Sequence, residues 1–99
     1  MGAANILVKK LLATIESDET PHLVTFAGNQ RGGGVLNSGE KSVFIRLDIE
    51  TFQADGLQAD GEIELASGGN LVLPNNANFF RHRCAAGETS TIMYSAGVV

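Results

Sequence analysis

Asp48 and Glu50 stand two residues apart in a stretch that alternates apolar and polar, so on a strand both carboxylates leave the same face, as a glycosidase pair would require. Such a pair works in a cleft with a platform for sugar. A chain of 99 residues with no tryptophan has little material for either, and the two carboxylates read as a solvated strand face. His82 and Cys84 are also two apart and raise the question of a thiol nucleophile with its base. Thiol catalysis needs the imidazole aimed at the sulfur and a third group orienting the imidazole, which two parallel side chains on one strand do not supply. Cys84 therefore reads as a small buried hydrophobe. As the single cysteine, it also excludes an internal disulfide framework and any multi-cysteine zinc or iron–sulfur site. His22 and His82 belong to neither an H-x-H nor an H-E-x-x-H pattern. Asp55, Asp60, Glu62 and Glu64 carry oxygens that calcium accepts, but not at EF-hand spacing, and Glu62 and Glu64 share the outer face of a strand. No catalytic, metal or cofactor site is assigned, and the chain is read as not an enzyme.

Two further patterns invite a ligand. Gly28, four residues, then Gly33 imitates the opening of a phosphate-binding loop, yet Gly34 and Val35 occupy the places of its lysine and its Ser or Thr. The run 28–34 is expected to be a mobile surface loop. Arg81, His82 and Arg83 form a small basic cluster. The formal net charge is −4, and seven acidic residues between Glu40 and Glu64 face only Lys41 and Arg46, so the cluster suits an acidic protein surface or a second copy better than nucleic acid.

The elements that must carry these residues are short. Val8, Leu11, Leu12 and Ile15 fall on one face of a helix, with Asn5 as its cap and Pro21 beyond its end, while Ile6-Leu7-Val8 also suits a strand. The first twenty residues are thus a short N-terminal helix or an extended arm, and neither a secretory signal nor a membrane span. Strands are predicted over 22–27, 42–54, 62–66, 71–73, 79–84 and 89–95. Along 42–54, Val43, Ile45, Leu47 and Ile49 point inward and Arg46, Asp48 and Glu50 toward water. Ala-Asp-Gly at 54–56 and again at 59–61 marks turns, and 67–70 is expected to join 62–66 to 71–73 as a hairpin. Six short strands separated by Gly, Asn and Asp predict a mainly β fold, a small antiparallel β-sandwich or barrel in one domain spanning 1–99.

An amphipathic start, Gly-rich β-structure and the sequence Gly87-Glu88-Thr89-Ser90-Thr91-Ile92-Met93-Tyr94 together resemble the small virion structural proteins of tailed bacteriophages, in particular the capsid decoration type. That resemblance implies a homo-oligomer, a trimer by analogy, that binds a major capsid or other structural protein and stabilises the shell, with neither nucleic acid nor membrane as partner. It places the chain in the virion; otherwise, the lone cysteine fits a reducing cytoplasm. The candidate interface residues are Leu7 and Leu11 on the first segment, Phe79, Phe80, Arg81 and Arg83 on one late strand, and Tyr94 on the last. Phe79 and Phe80 leave a strand on opposite faces, so one of them needs cover from elsewhere. A small carbohydrate-type binding module, using the loops 28–34 and 74–78, is the alternative.

Overall fold

The computed structural model describes residues 9–26, 30–47, 61–75 and 77–98, with the side chains of 9–12 and 98 outside that set. Eight strands run in the order β1 Lys9–Ser17, β2 His22–Thr25, β3 Gln30–Asn37, β4 Val43–Arg46, β5 Ile63–Leu65, β6 Asn70–Val72, β7 Phe79–Cys84 and β8 Ser90–Val98. They form two four-stranded antiparallel sheets, β1-β8-β3-β6 and β2-β7-β4-β5. We call them sheet A and sheet B. The mainly β, sandwich-like fold expected from the sequence is the one observed.

Alternation explains why these segments pair as they do. On β7, Phe80 and Cys84 point into the core, and on β4 Val43 and Ile45 do the same. Sheet A answers with Val35 from β3 and with Ile92 and Ala96 from β8; Phe26, Leu65 and Leu73 complete the core. Each fully buried Phe, Ile or Val here contributes on the order of 1.5–3 kcal/mol of transfer free energy.

Four expectations need correction. The first segment is not helical where it is described. Residues 9–17 form a strand that pairs with β8 without a break, from Lys9 opposite Val98 to Ser17 opposite Ser90. The period-two pattern prevails: Ile15 packs on the core and Ser17 is buried, whereas Thr14 and Glu16 are exposed. Tertiary pairing outweighs a helical spacing carried by a few residues, and β-branched Thr14 and Ile15 favour the strand. Residues 1–8, with Leu7, lie outside the described residues.

The run 28–34 is not a free loop from residue 30 onward; it enters β3, in the interior of sheet A. Between Arg31 and Gly34 the register to β8 shifts in a β-bulge, at which Gly32 takes φ 69°. Next, 62–66 and 71–73 do not form a hairpin. Strand β5 pairs with β4 in sheet B and β6 pairs with β3 in sheet A, so the turn at 67–69 carries the chain from one sheet to the other. The reason lies on β3: the Asn37 amide N–H donates to the Gly69 carbonyl at 2.9 Å, and the Gly68 N–H donates to the Asn37 carbonyl at 2.8 Å. Finally, β4 has no wet face over its described length, since Phe44 and Arg46 are buried as well as Val43 and Ile45. Asp48, Glu50 and the first Ala-Asp-Gly lie outside the described residues; the second ends at Gly61, whose φ of 88° is that of a turn glycine.

Candidate functional site

Two places on this frame gather groups that sequence spacing could not bring together. The first is the flank where β1 and β2 edge the two sheets. His22 and His82 are cross-strand partners, with ring centroids 5.2 Å apart and the rings stacked. The hydroxyl of Ser17, at the end of β1, lies 2.8 Å from His82 Nδ1. Just beyond, Asp18 Oδ1 lies 2.8 Å from His22 Nε2. A cleft of about 420 Å³ opens between the two strands, lined by Ile15, Glu16, His22, Leu23, His82 and Tyr94 among others.

A hydroxyl, two imidazoles and a carboxylate suggest hydrolytic chemistry, and their geometry denies it. The Ser17 and His82 side chains are both buried, so a substrate does not reach the hydroxyl. The carboxylate of Asp18 bonds the other histidine and leaves His82 without an orienting acid. Burial lowers His82 to about 4, with His22 acting in the same direction, so it is neutral around pH 7. Cys84 is fully buried and its thiol is raised by that burial; Sγ donates weakly to the Ser17 carbonyl at 3.4 Å. The cluster is a polar seam between the sheets, and Cys84 is the packed hydrophobe its sequence context indicated. Among the described residues, no group of three or more His, Cys, Asp or Glu is placed to hold a metal ion.

The second place is the outer face of sheet A. Val72 on β6 is 76% exposed, and Leu36 on β3 is partly exposed. Register sets Gly34 between Val72 and Ser95, and Leu36 between Asn70 and Met93. With no side chain at Gly34, the row from Val72 to Ser95 has a low floor. The result is a shallow, largely apolar trough of about 320 Å³ across β6, β3 and β8. An exposed valine and leucine with a half-buried methionine around a depression form the kind of surface that another protein covers.

The candidate interface residues fall in different environments. Phe79 and Phe80 do leave β7 on opposite faces; Phe80 is buried in the core and Phe79 is half-buried. The basic cluster is not a surface cluster. Arg83 is buried in a bidentate pair with Glu62, Nε to Oε2 at 3.0 Å and Nη2 to Oε1 at 2.8 Å, with its guanidinium carbon 4.6 Å from the Phe44 ring centroid. With His82 in the seam as well, only half-buried Arg81 retains contact with solvent. Tyr94 is half-buried, packed edge-on against Phe80 at 5.4 Å, and borders both the cleft and the trough. The backbone of Leu11 lies in β1, opposite Ala96.

Sequence reasoning missed two buried amides. Asn37 donates from Nδ2 to the carbonyls of Lys41 and Leu65, at 2.7 and 2.8 Å, and its Oδ1 accepts from Ser90 Oγ and Gly39 N–H at 2.8 and 3.1 Å. Gln30 donates to the Pro74 carbonyl and accepts from the Gly33 N–H at 2.9 Å, fixing the bulge. Neither residue belongs to a recognisable motif.

No protein-family model, no curated protein and no solved structure matches the chain.

Proposed function

We propose that this chain is a structural assembly protein, of the capsid decoration type, that associates with copies of itself and docks on the outer shell of a virus particle. The observation that carries the reading is the apolar trough on sheet A, with Val72, Leu36 and Met93 around a glycine floor. In a 99-residue domain with a modest core, a face of this kind gains stability when it is covered. The buried polar groups of the molecule support the same reading. Asn37 on β3 bonds the Leu65 carbonyl of β5 and so ties the two sheets, Gln30 fixes the bulge within sheet A, and the Arg83–Glu62 pair joins β7 to the segment leading into β5 within sheet B.

The carbohydrate-module alternative draws less support. Its two segments do meet, because Gln30 bonds Pro74 and the Gly32 N–H reaches Asn75 Oδ1 at 3.3 Å. Those polar groups bond each other, and Tyr94, on the neighbouring strand, packs against Phe80 and Phe26. A sugar site needs polar groups and a ring turned outward.

Sedimentation of the purified chain over a wide concentration range tests self-association. The expected outcome is a species heavier than one chain that grows with concentration. A monomer at every concentration would count against the self-association half of the reading.

A further inference from the structure

Among the described residues, β1 is the longest strand at a sheet edge. It has nine residues, all paired with β8 on one side, and among the described residues no strand pairs with its other side. The other three sheet edges, β2, β5 and β6, have four, three and three residues. Short edges are a usual protection against unwanted strand pairing, and β1 lacks it. The cleft between β1 and β2, with Leu23 more than half exposed on its rim, lies open on the same flank.

We propose that β1 pairs with β1 of a second copy of this chain, antiparallel about a two-fold axis through Ala13, joining two A sheets into one of eight strands. This rests on the assembly reading and names the contact between copies. Register and charge select this pairing. A two-fold axis perpendicular to the sheet keeps the face of Ile15 and Ser17 on the core side of both copies only if the numbers of opposed residues sum to an even value. Pairing about Ala13 sets position 9 opposite 17, Lys10 opposite Glu16, Leu11 opposite Ile15 and Leu12 opposite Thr14. A lysine position therefore stands opposite a glutamate position twice, and Leu11 opposite Ile15 makes an apolar pair. One step either way is worse: about position 12, Lys9 stands opposite Ile15, and about position 14, Leu12 stands opposite Glu16. Glu16 is exposed in the single chain, as such a contact requires. Cross-strand pairs of opposite charge stabilise an antiparallel ladder, while like charges directly opposed destabilise it. The contact is isologous, so it closes at two copies. The three-fold association implied by the phage resemblance would have to use another surface.

Native mass spectrometry at low salt, with melting curves to verify folding, tests the pairing. The full chain is expected as a dimer. Lys10→Glu and Glu16→Lys, each alone, oppose like charges twice and are expected to weaken the dimer at least tenfold with little change in melting. Mixing the two variant chains restores both opposite-charge pairs in a heterodimer, which is expected to form in preference to either homodimer. A dimer indifferent to both variants would overturn the β1 pairing and leave the assembly reading in place. Variants that weaken the dimer without heterodimer rescue would overturn the register, and a chain that is monomeric yet travels with virus particles would overturn the pairing but not the docking.

Discussion

His82 shows how one residue couples the seam between the sheets to pH. Burial is the main cause of its lowered pKa, about 4 against 6.5 for the free side chain, and His22 adds to the shift while Asp18 opposes it. The folded state therefore holds His82 neutral where the unfolded chain takes up a proton. The contribution of His82 is flat above pH 6.5, and through it stability falls as pH drops from 6.5 toward 4, by at most about 1.4 kcal/mol per pH unit. Asp18, whose pKa is lowered from 3.8 by its bond to His22, loses its contribution only below that window. Urea unfolding across pH 4 to 6.5 is expected to show this slope in the natural chain and a flatter one in His82→Gln; equal slopes would contradict the assignment. Arg83 illustrates what a sequence conceals at this scale. Beside Arg81 it looks like half of a basic surface, but its partner Glu62 lies 21 residues away and joins it only when the chain folds. Cys84 was legible because a lone cysteine between polar and small residues has little to do except pack.

At the scale of elements, β7 was legible with its bounds, 79–84, and β8 in part, since it runs three residues beyond the predicted 89–95, whereas the helical spacing hid β1 and the glycine run hid β3. What was not legible is which strand pairs with which. The turn at 67–69 has the composition of a hairpin, and the bonds from Asn37 direct it across the sandwich instead. The glycine run misled for a related reason, because Gly33 serves close approach and Gly32 a positive φ at the bulge. A Cβ on Gly33 would lie 2.5 Å from the Ser95 carbonyl oxygen and from Gln30 Oε1, whereas one on Gly32 would meet nothing within 4 Å and suffer only from its positive φ. Gly32→Ala is expected to cost about 1–2 kcal/mol, and Gly33→Ala more, since β3 and β8 must separate to admit the methyl. Thermal melts of the two variants check the order; an equal or reversed cost would mean that Gly33 is not a packing glycine. The candidate site was the least legible part, because the trough is made by neighbours in a sheet and no one segment carries it.

At the scale of the whole molecule, a few polar side chains are buried and engaged within the fold, while a few apolar ones are left at the surface. Asn37 ties the two sheets, Gln30 and the Arg83–Glu62 pair each brace one of them, and Val72, Leu36 and Met93 line a trough on the outer face of sheet A. On the reading we propose, the trough would face the shell and the β1 edge another copy. The most direct test is to fractionate, on a density gradient, the particles made by the source of this chain, following the natural chain and a Val72→Asp variant through the fractions. The account predicts that the natural chain travels with the shells and that Val72→Asp, still folded because Val72 is largely exposed, stays at the top with free protein. A natural chain found only among free proteins would contradict it.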